Sequence, residues 1–221
     1  MRRGPSARPM LIVALTGGIA TGKSVVARFL EERGCAVHSA DLVAHEVMAP
    51  GGPAWKNLTA HFGPGILNPD RTINRPRLGA LVFAHEAERR FLNSVVHPLV
   101  LEKKKEVIAR LEQEGKTKIY VSEAALTIEA GYADFYDKVI VAFCRPEVQV
   151  ARLMARDGLS REAALQKIRA QMPHEEKKRQ AAYLIDTSGS LSDTESRTDR
   201  IFRRLRHDYA EKEKRKTGAR S

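Results

Sequence analysis

The run Gly17-Gly18-Ile19-Ala20-Thr21-Gly22-Lys23-Ser24 fits the pattern G-x-x-x-x-G-K-[ST]. It follows the unbroken apolar stretch Met10–Thr16 (MLIVALT), the pattern of a strand buried on both faces. It opens Ser24–Arg33, where Val25, Val26, Phe29 and Leu30 fall on one side of a helix. That strand-before, helix-after context separates a phosphate cradle from a plain glycine turn. Glycines let the backbone wrap until several N–H groups point at one centre, and the helix N-terminus adds about half a positive charge there. The cradle comprises Gly18, Ile19, Ala20, Thr21, Gly22, Lys23, Ser24 and Val25. Lys23 is placed to reach outer phosphates, and the Ser24 hydroxyl to coordinate Mg²⁺. At average residue frequencies the pattern alone arises by chance about once in a hundred chains of this length.

Working outward, further strand-like runs stand at Cys35–Ser39, Lys118–Ser122, Asp137–Phe143 (DKVIVAF) and Tyr183–Asp186 (YLID). Helical patterns lie between them. Asp41–Met48 is short; Ala54–Arg110 is mostly helical, interrupted by the Gly63–Thr72 loop and by Pro98; Glu147–Met172 gives one or two helices; Leu191–Glu213 is a last charged helix. This alternation predicts an α/β fold, a parallel sheet with helices on both faces. In such sheets ligands bind at the carboxyl ends of the strands.

Acids and arginines stand at those ends. Asp41, after the second strand, either orients and deprotonates an acceptor hydroxyl or merely caps the next helix. Glu123 ends the third strand and either holds Mg²⁺ through water, or anchors the acceptor site, or is a solvated acid. Arg152 and Arg156 share a helix face at i, i+4 in a basic stretch with Arg161, Lys167, Arg169, Lys177 and Lys178. That stretch reads as a lid closing over a transferring phosphoryl group, or as a charged surface paired with Asp157, Glu162, Glu175 and Glu176.

Composition narrows the classes. The chain of 221 residues carries a net charge of +11, of which +3 lies in residues 1–9 and +5 in 203–221, leaving +3 for the body. That distribution and the 6% aromatic content argue against a nucleic-acid surface. No apolar run approaches the roughly 20 residues of a membrane span, and the Arg2-Arg3 start precedes too short an apolar stretch for a targeting signal. Cys35 and Cys144 show no Cys-x-x-Cys spacing and read as buried free thiols of a reducing cytoplasm. An N-K-x-D base-reading motif of GTPases is absent from the sequence.

Beyond the cradle, several separated motifs in one order resemble the dephospho-coenzyme A kinase family, over roughly residues 11–205. They are Ala14–Ser24 (ALTGGIATGKS), Ser39-Ala40-Asp41, Phe62-Gly63 with Arg75, Leu78 and Phe83, His97-Pro98, Arg152-Leu153 to Arg156, Ile168 to Gln171, and MPHEEKKRQAAYLIDTSGS. The resemblance implies a three-layer P-loop NTPase fold with a parallel five-stranded sheet. It also implies a helical acceptor-binding insertion near 54–115 and a helical lid near 152–180, within a domain of 10–206 flanked by basic extensions 1–9 and 207–221. It implies ATP and Mg²⁺ as cofactors, dephospho-coenzyme A as acceptor, and a cytoplasmic monomer or small homo-oligomer with no nucleic-acid or membrane partner. Asp41, Lys23 and Arg156 become the catalytic residues, Arg152 a nucleotide contact, and Asp41, Arg75, His97 and Glu123 the acceptor side. In this chain Ser39 stands at the family's first aspartate, Glu123–Glu129 (EAALTIE) at its D-x-P-L-L-F-E, Ala182 at an aspartate and Thr187 at an asparagine near the adenine site. A kinase of another small acceptor, such as a nucleoside monophosphate, is the alternative. A nucleotide-binding module acting on nucleic acid through the basic tails is a more distant one.

Overall fold

A computed structural model describes residues 10–218, apart from the side chains of Phe83 and of 216–218. The expected 1–9 extension, the last three residues and the Phe83 side chain lie outside the described residues. Five parallel strands, β1 (Leu11–Thr16), β2 (Ala36–Ser39), β3 (Ile119–Glu123), β4 (Lys138–Phe143) and β5 (Tyr183–Asp186), form one sheet in the order β2-β3-β1-β4-β5. Among the described residues nine α-helices accompany them: α1 (Lys23–Glu32), α2 (Ala40–Val47), α3 (Pro53–Phe62), α4 (Arg75–Ala84), α5 (Glu86–Glu114), α6 (Pro146–Asp157), α7 (Arg161–Arg169), α8 (His174–Arg179) and α9 (Leu191–Gly218). The chain divides into two compact units, one running to Ser39 and resuming at Leu111, the other Ala40–Arg110.

In the first unit the strand alternation sorts side chains to two faces. Leu11, Val13 and Leu15 of β1 join Val26, Ala27 and Leu30 of α1 and Ile201, Leu205 and Tyr209 of α9 on one face. Ile12 and Ala14 point the other way, against Ile128, Tyr136, Val139 and Val141. Each fully buried Leu or Ile here contributes about 1.5–3 kcal/mol relative to exposure. β1 lies between β3 and β4, so connections leave it toward both sides and a crevice opens at its carboxyl end. Cys35 and Cys144 are buried and free, and burial pushes the Cys35 thiol up to about 12.

The second unit gathers Val47, Ala54, Leu58, Ile66, Ile73, Leu78, Val96 and Val100 into its own core.

Several element ends differ from the sequence reading by one residue, and a few boundaries carry meaning. Strand β3 runs one residue further, so Glu123 is its last member rather than its successor. Helix α5 passes through Pro98 unbroken, because Val96, Val100, Lys104 and Ile108 are buried every fourth residue along it. The helical unit starts at Ala40 rather than near 54, since Ala40, Val43, Ala44 and Val47 of α2 pack into its core. Finally, the line drawn at 206/207 falls inside α9, where Leu205 and Tyr209 are both core residues and Lys212 donates to the Met10 carbonyl (3.0 Å).

Candidate active site

The loop Gly17–Gly22 sits at the crevice, between β1 and α1. Its shape is forced at two glycines. A Cβ at Gly17 would lie 2.3 Å from the Ala142 carbonyl oxygen in β4, and Gly22 adopts φ 76° against the Thr187 side chain. Ala20 also takes a left-handed conformation (φ 58°) without being glycine, which costs of order 1 kcal/mol and is held by its surroundings. Helix α1 has neither a side-chain cap nor an acid in its first turn. Its leading N–H groups and its dipole are therefore left for an anion to satisfy.

The tip of the loop is latched from behind. Gln149 of α6 donates to the Ile19 carbonyl (2.7 Å), and the Ile19 N–H donates to Gln171 Oε1 (2.7 Å). His174 Nε2 closes the third side, within 2.7 Å of where a Gly18 Cβ would stand. Burial, with Lys177 and Lys178 adding to it, lowers the His174 pKa, so the imidazole beside the loop is neutral at pH 7. Ile19 and Ala20 pack against Val150, Leu153 and Ala164 of the α6–α7 hairpin. A cavity of about 420 Å³ adjoins this latch at the ends of β4 and β5, bounded by Phe143, Gln149, Gln171, His174 and Asp186.

The charged groups divide into engaged and aligned. Lys23 Nζ lies 3.5 Å from Glu123 Oε1, both side chains mostly buried. Arg152 donates twice to Thr187, to its carbonyl oxygen (2.8 Å) and to Oγ1 (3.1 Å). The Thr187 hydroxyl in turn donates to the Thr21 carbonyl (2.7 Å), so α6, β5 and the loop share one hydrogen-bonded knot. Arg156, half-exposed, is held by Asp157 (Nε to Oδ1, 2.7 Å), which Lys167 also contacts. Ser24 is the second residue of α1. Among the described residues no cluster of three or more His, Cys, Asp or Glu side chains could hold a metal ion alone. Any Mg²⁺ here needs phosphate oxygens as co-ligands, which suits a hydroxyl and an acid as its protein contacts.

Asp41 lies in the first turn of α2, exposed. Within its unit its charge acts on His45, one turn along, and on Arg75 at the start of α4. Ser39, the last residue of β2, pairs in register with Glu123. His97 is half-buried in the middle of α5, its pKa lowered by burial and then by Lys104. The structure thus brings together Gly18–Val25, Lys23, Glu123 and Arg152 in one unit, and Asp41 with Arg75 in the other.

The sequence reading gave Gln149 and His174 no individual role, and it counted Lys177 among the lid cations without joining it to Glu129, 2.6 Å from it. Gln149 is one polar residue in an otherwise amphipathic helix start. His174 and Lys177 lie in the polar string HEEKKR, where no periodicity marks a buried position.

An open anion cradle at the end of the central strand, backed by an uncapped helix and a lysine, makes this a P-loop nucleotide-binding protein. A shikimate kinase from Acinetobacter baumannii shares the fold at 17% identity (TM-score 0.54, 91% of this chain and 96% of that one). A family model described as dephospho-CoA kinase matches residues 11–193. A dephospho-CoA kinase from Geobacter sulfurreducens is 44% identical over 193 residues, covering 87% of this chain and 98% of its own. One from Halalkalibacterium halodurans is 40% identical over 194 residues, 88% and 96%. A crystal structure of a Thermus thermophilus protein superposes with a TM-score of 0.76 at 32% identity, over 87% of this chain and 95% of that one. The chain belongs to the dephospho-CoA kinase family.

Proposed function

We propose that this chain moves the γ-phosphoryl group of ATP to the ribose 3′-hydroxyl of dephospho-coenzyme A, giving coenzyme A and ADP, the last step of coenzyme A assembly. The observation that carries the reading is the uncapped cradle with Lys23 facing Glu123, in a chain whose family match spans it. The free N–H groups of the loop and α1 bind the phosphates, and Lys23 turns from Glu123 toward the β- and γ-oxygens. Mg²⁺, when bound with the nucleotide, neutralises phosphate charge, and Ser24 and Glu123 are the side chains we assign to hold it.

Asp41 orients the acceptor hydroxyl and accepts its proton as the oxygen–phosphorus bond forms and the bond to the β–γ bridging oxygen breaks. Arg75, His97 and Glu123 hold the acceptor, with the helical unit Ala40–Arg110 as the acceptor-binding subdomain. Arg152 contacts the nucleotide beside Thr187. Arg156 exchanges Asp157 for the transferring group as the 152–180 lid closes, excluding water. We place the protein in the cytoplasm as a monomer or small homo-oligomer, with no nucleic-acid partner. Among the described residues no helix is long and apolar enough to cross a membrane.

The test is ADP release from purified protein with ATP, Mg²⁺ and a panel of acceptors including nucleoside monophosphates. Turnover confined to dephospho-coenzyme A, with Asp41→Asn reducing kcat by about 10²-fold or more as for loss of a general base, supports the reading. Preference for another acceptor overturns the substrate assignment. Near-normal turnover of Asp41→Asn at saturating substrates overturns the base.

A further inference from the structure

Lys177 has no exposed surface at all, although it sits in a six-residue helix between Glu176 and Lys178. Lysine is among the residues least often fully buried, and an ammonium is buried only where something balances its charge. Here its Nζ lies 2.6 Å from Glu129 Oε1 and donates to the Ala125 carbonyl (2.9 Å). Both Glu129 carboxylate oxygens are buried and receive no well-aligned hydrogen bond from any described residue, so the Lys177 ammonium is the group that faces them.

What this pair holds is the segment leaving β3. Ala125 offers the same carbonyl oxygen to the Thr16 hydroxyl (3.1 Å), and Ala124 N–H donates to Leu15 (3.0 Å). Thr16 is the last residue before the phosphate loop, and Ala124 directly follows Glu123. The ammonium therefore clamps the backbone between the acid that faces Lys23 and the strand that feeds the cradle.

We propose that Lys177, through Glu129 and the Ala125 carbonyl, is a positioning residue that fixes Glu123 against Lys23. The proposal rests on the kinase reading for its catalytic consequence, but its geometric content stands apart from any substrate. Lys177→Met alone strands a buried carboxylate and is expected to fold poorly. Lys177→Met with Glu129→Gln removes both charges at similar volume, the kind of replacement that buried pairs tolerate.

Two readouts are taken on the double variant. The first is the coupling between Lys23 and Glu123, from a thermal-melt double-mutant cycle (Lys23→Met, Glu123→Gln) in the parent and in the double-variant background. Coupling present in the parent and lost in the variant is expected. Coupling absent from the parent, or undiminished in the variant, overturns the proposal. The second is kinetic. With the double variant melting near the parent and its calorimetric ATP affinity unchanged, kcat at saturating substrates is expected to fall by at least about tenfold, since a misplacement near 1 Å costs up to about 10²-fold. A kcat within twofold of the parent overturns the proposal. If the parent itself makes no ADP with dephospho-coenzyme A, the kinase reading fails, and the melt cycle still decides the positioning claim.

Discussion

Gly22→Ala, set against Gly34→Ala, separates the cost of a left-handed backbone from the cost of crowding the knot behind the cradle. Gly22 has φ 76° and Gly34 φ 88°, so a Cβ at either meets the left-handed penalty of about 1–2 kcal/mol. Both substitutions recover about 0.4–1 kcal/mol by restricting the unfolded chain. A Cβ at Gly34 would meet nothing within 4 Å, which leaves a net loss of about 1 kcal/mol. At Gly22 it would stand 3.2 Å from Thr187 Oγ1 and 3.3 Å from Thr187 Cβ. Thr187 is 1% exposed and tied to Thr21, Phe143 and Arg152. It yields only by stretching hydrogen bonds worth about 1 kcal/mol each, so the net loss rises to about 2–3 kcal/mol. At about 2–4 °C per kcal/mol for a chain of this size, Tm should fall by about 4–12 °C for Gly22→Ala and by about 2–4 °C for Gly34→Ala. Calorimetric melts measure both, and an ATP titration should show weakened binding for Gly22→Ala alone. Adding Thr187→Ala should relieve part of the Gly22→Ala loss, giving a less than additive double variant. Equal losses in the two glycine variants, or full additivity with Thr187→Ala, would refute the account of the knot.

Two further outcomes follow from the same geometry. Arg152→Lys cannot span both the carbonyl and the hydroxyl of Thr187 with one ammonium; losing one such bond should raise the KM for ATP about tenfold, equivalent to about 1.4 kcal/mol, with a smaller change in kcat. His97 and His174 both have depressed pKa values, mainly through burial, so the unfolded chain binds protons that the folded one refuses. Stability is then complete above about pH 6.5 and falls as pH drops through the unfolded value toward the folded ones. Melts between pH 7.5 and 5.5 should show this fall, and His97→Gln should flatten it; a slope of the opposite sign contradicts both assignments.

Much of the fold was legible because β1 and the cradle carry their context with them. MLIVALT followed by glycines and a helical Val25–Leu30 face leaves little else to build. Strand order was not legible, since periodicity says which residues pair with some neighbour but not with which one. It took the register of Leu15 with both Glu123 and Ile140 to put β1 between β3 and β4. Pro98 misled for a related reason. A proline weakens a helix locally, whereas four buried side chains at spacing four hold α5 straight through it. At the lid, the sequence offered Asp157 as a surface partner of the arginines, and the structure uses it so: Arg156 is engaged while Arg152 is built into the floor.

The site was legible where the chemistry needs a residue type and illegible where it needs only a position. Lys23 and Glu123 stood out as a cation in a glycine-rich loop and an acid at a strand end. Lys177 is one of three cations in the ten residues from Gln171 to Gln180, and nothing in its neighbours marks the one that turns inward. Its companion Glu129 sits six residues past Glu123, too far for any local spacing rule to join them. In the fold it is Lys177, and not Lys178, whose ammonium reaches the carbonyl of Ala125. Lys178 instead lies 4.0 Å from the Phe143 ring and pairs with Glu175. Exchanging the chemistry of these two adjacent lysines should therefore have unequal effects: removing Lys178 costs a surface pair of at most about 1 kcal/mol, whereas removing Lys177 disturbs the segment on which Glu123 depends.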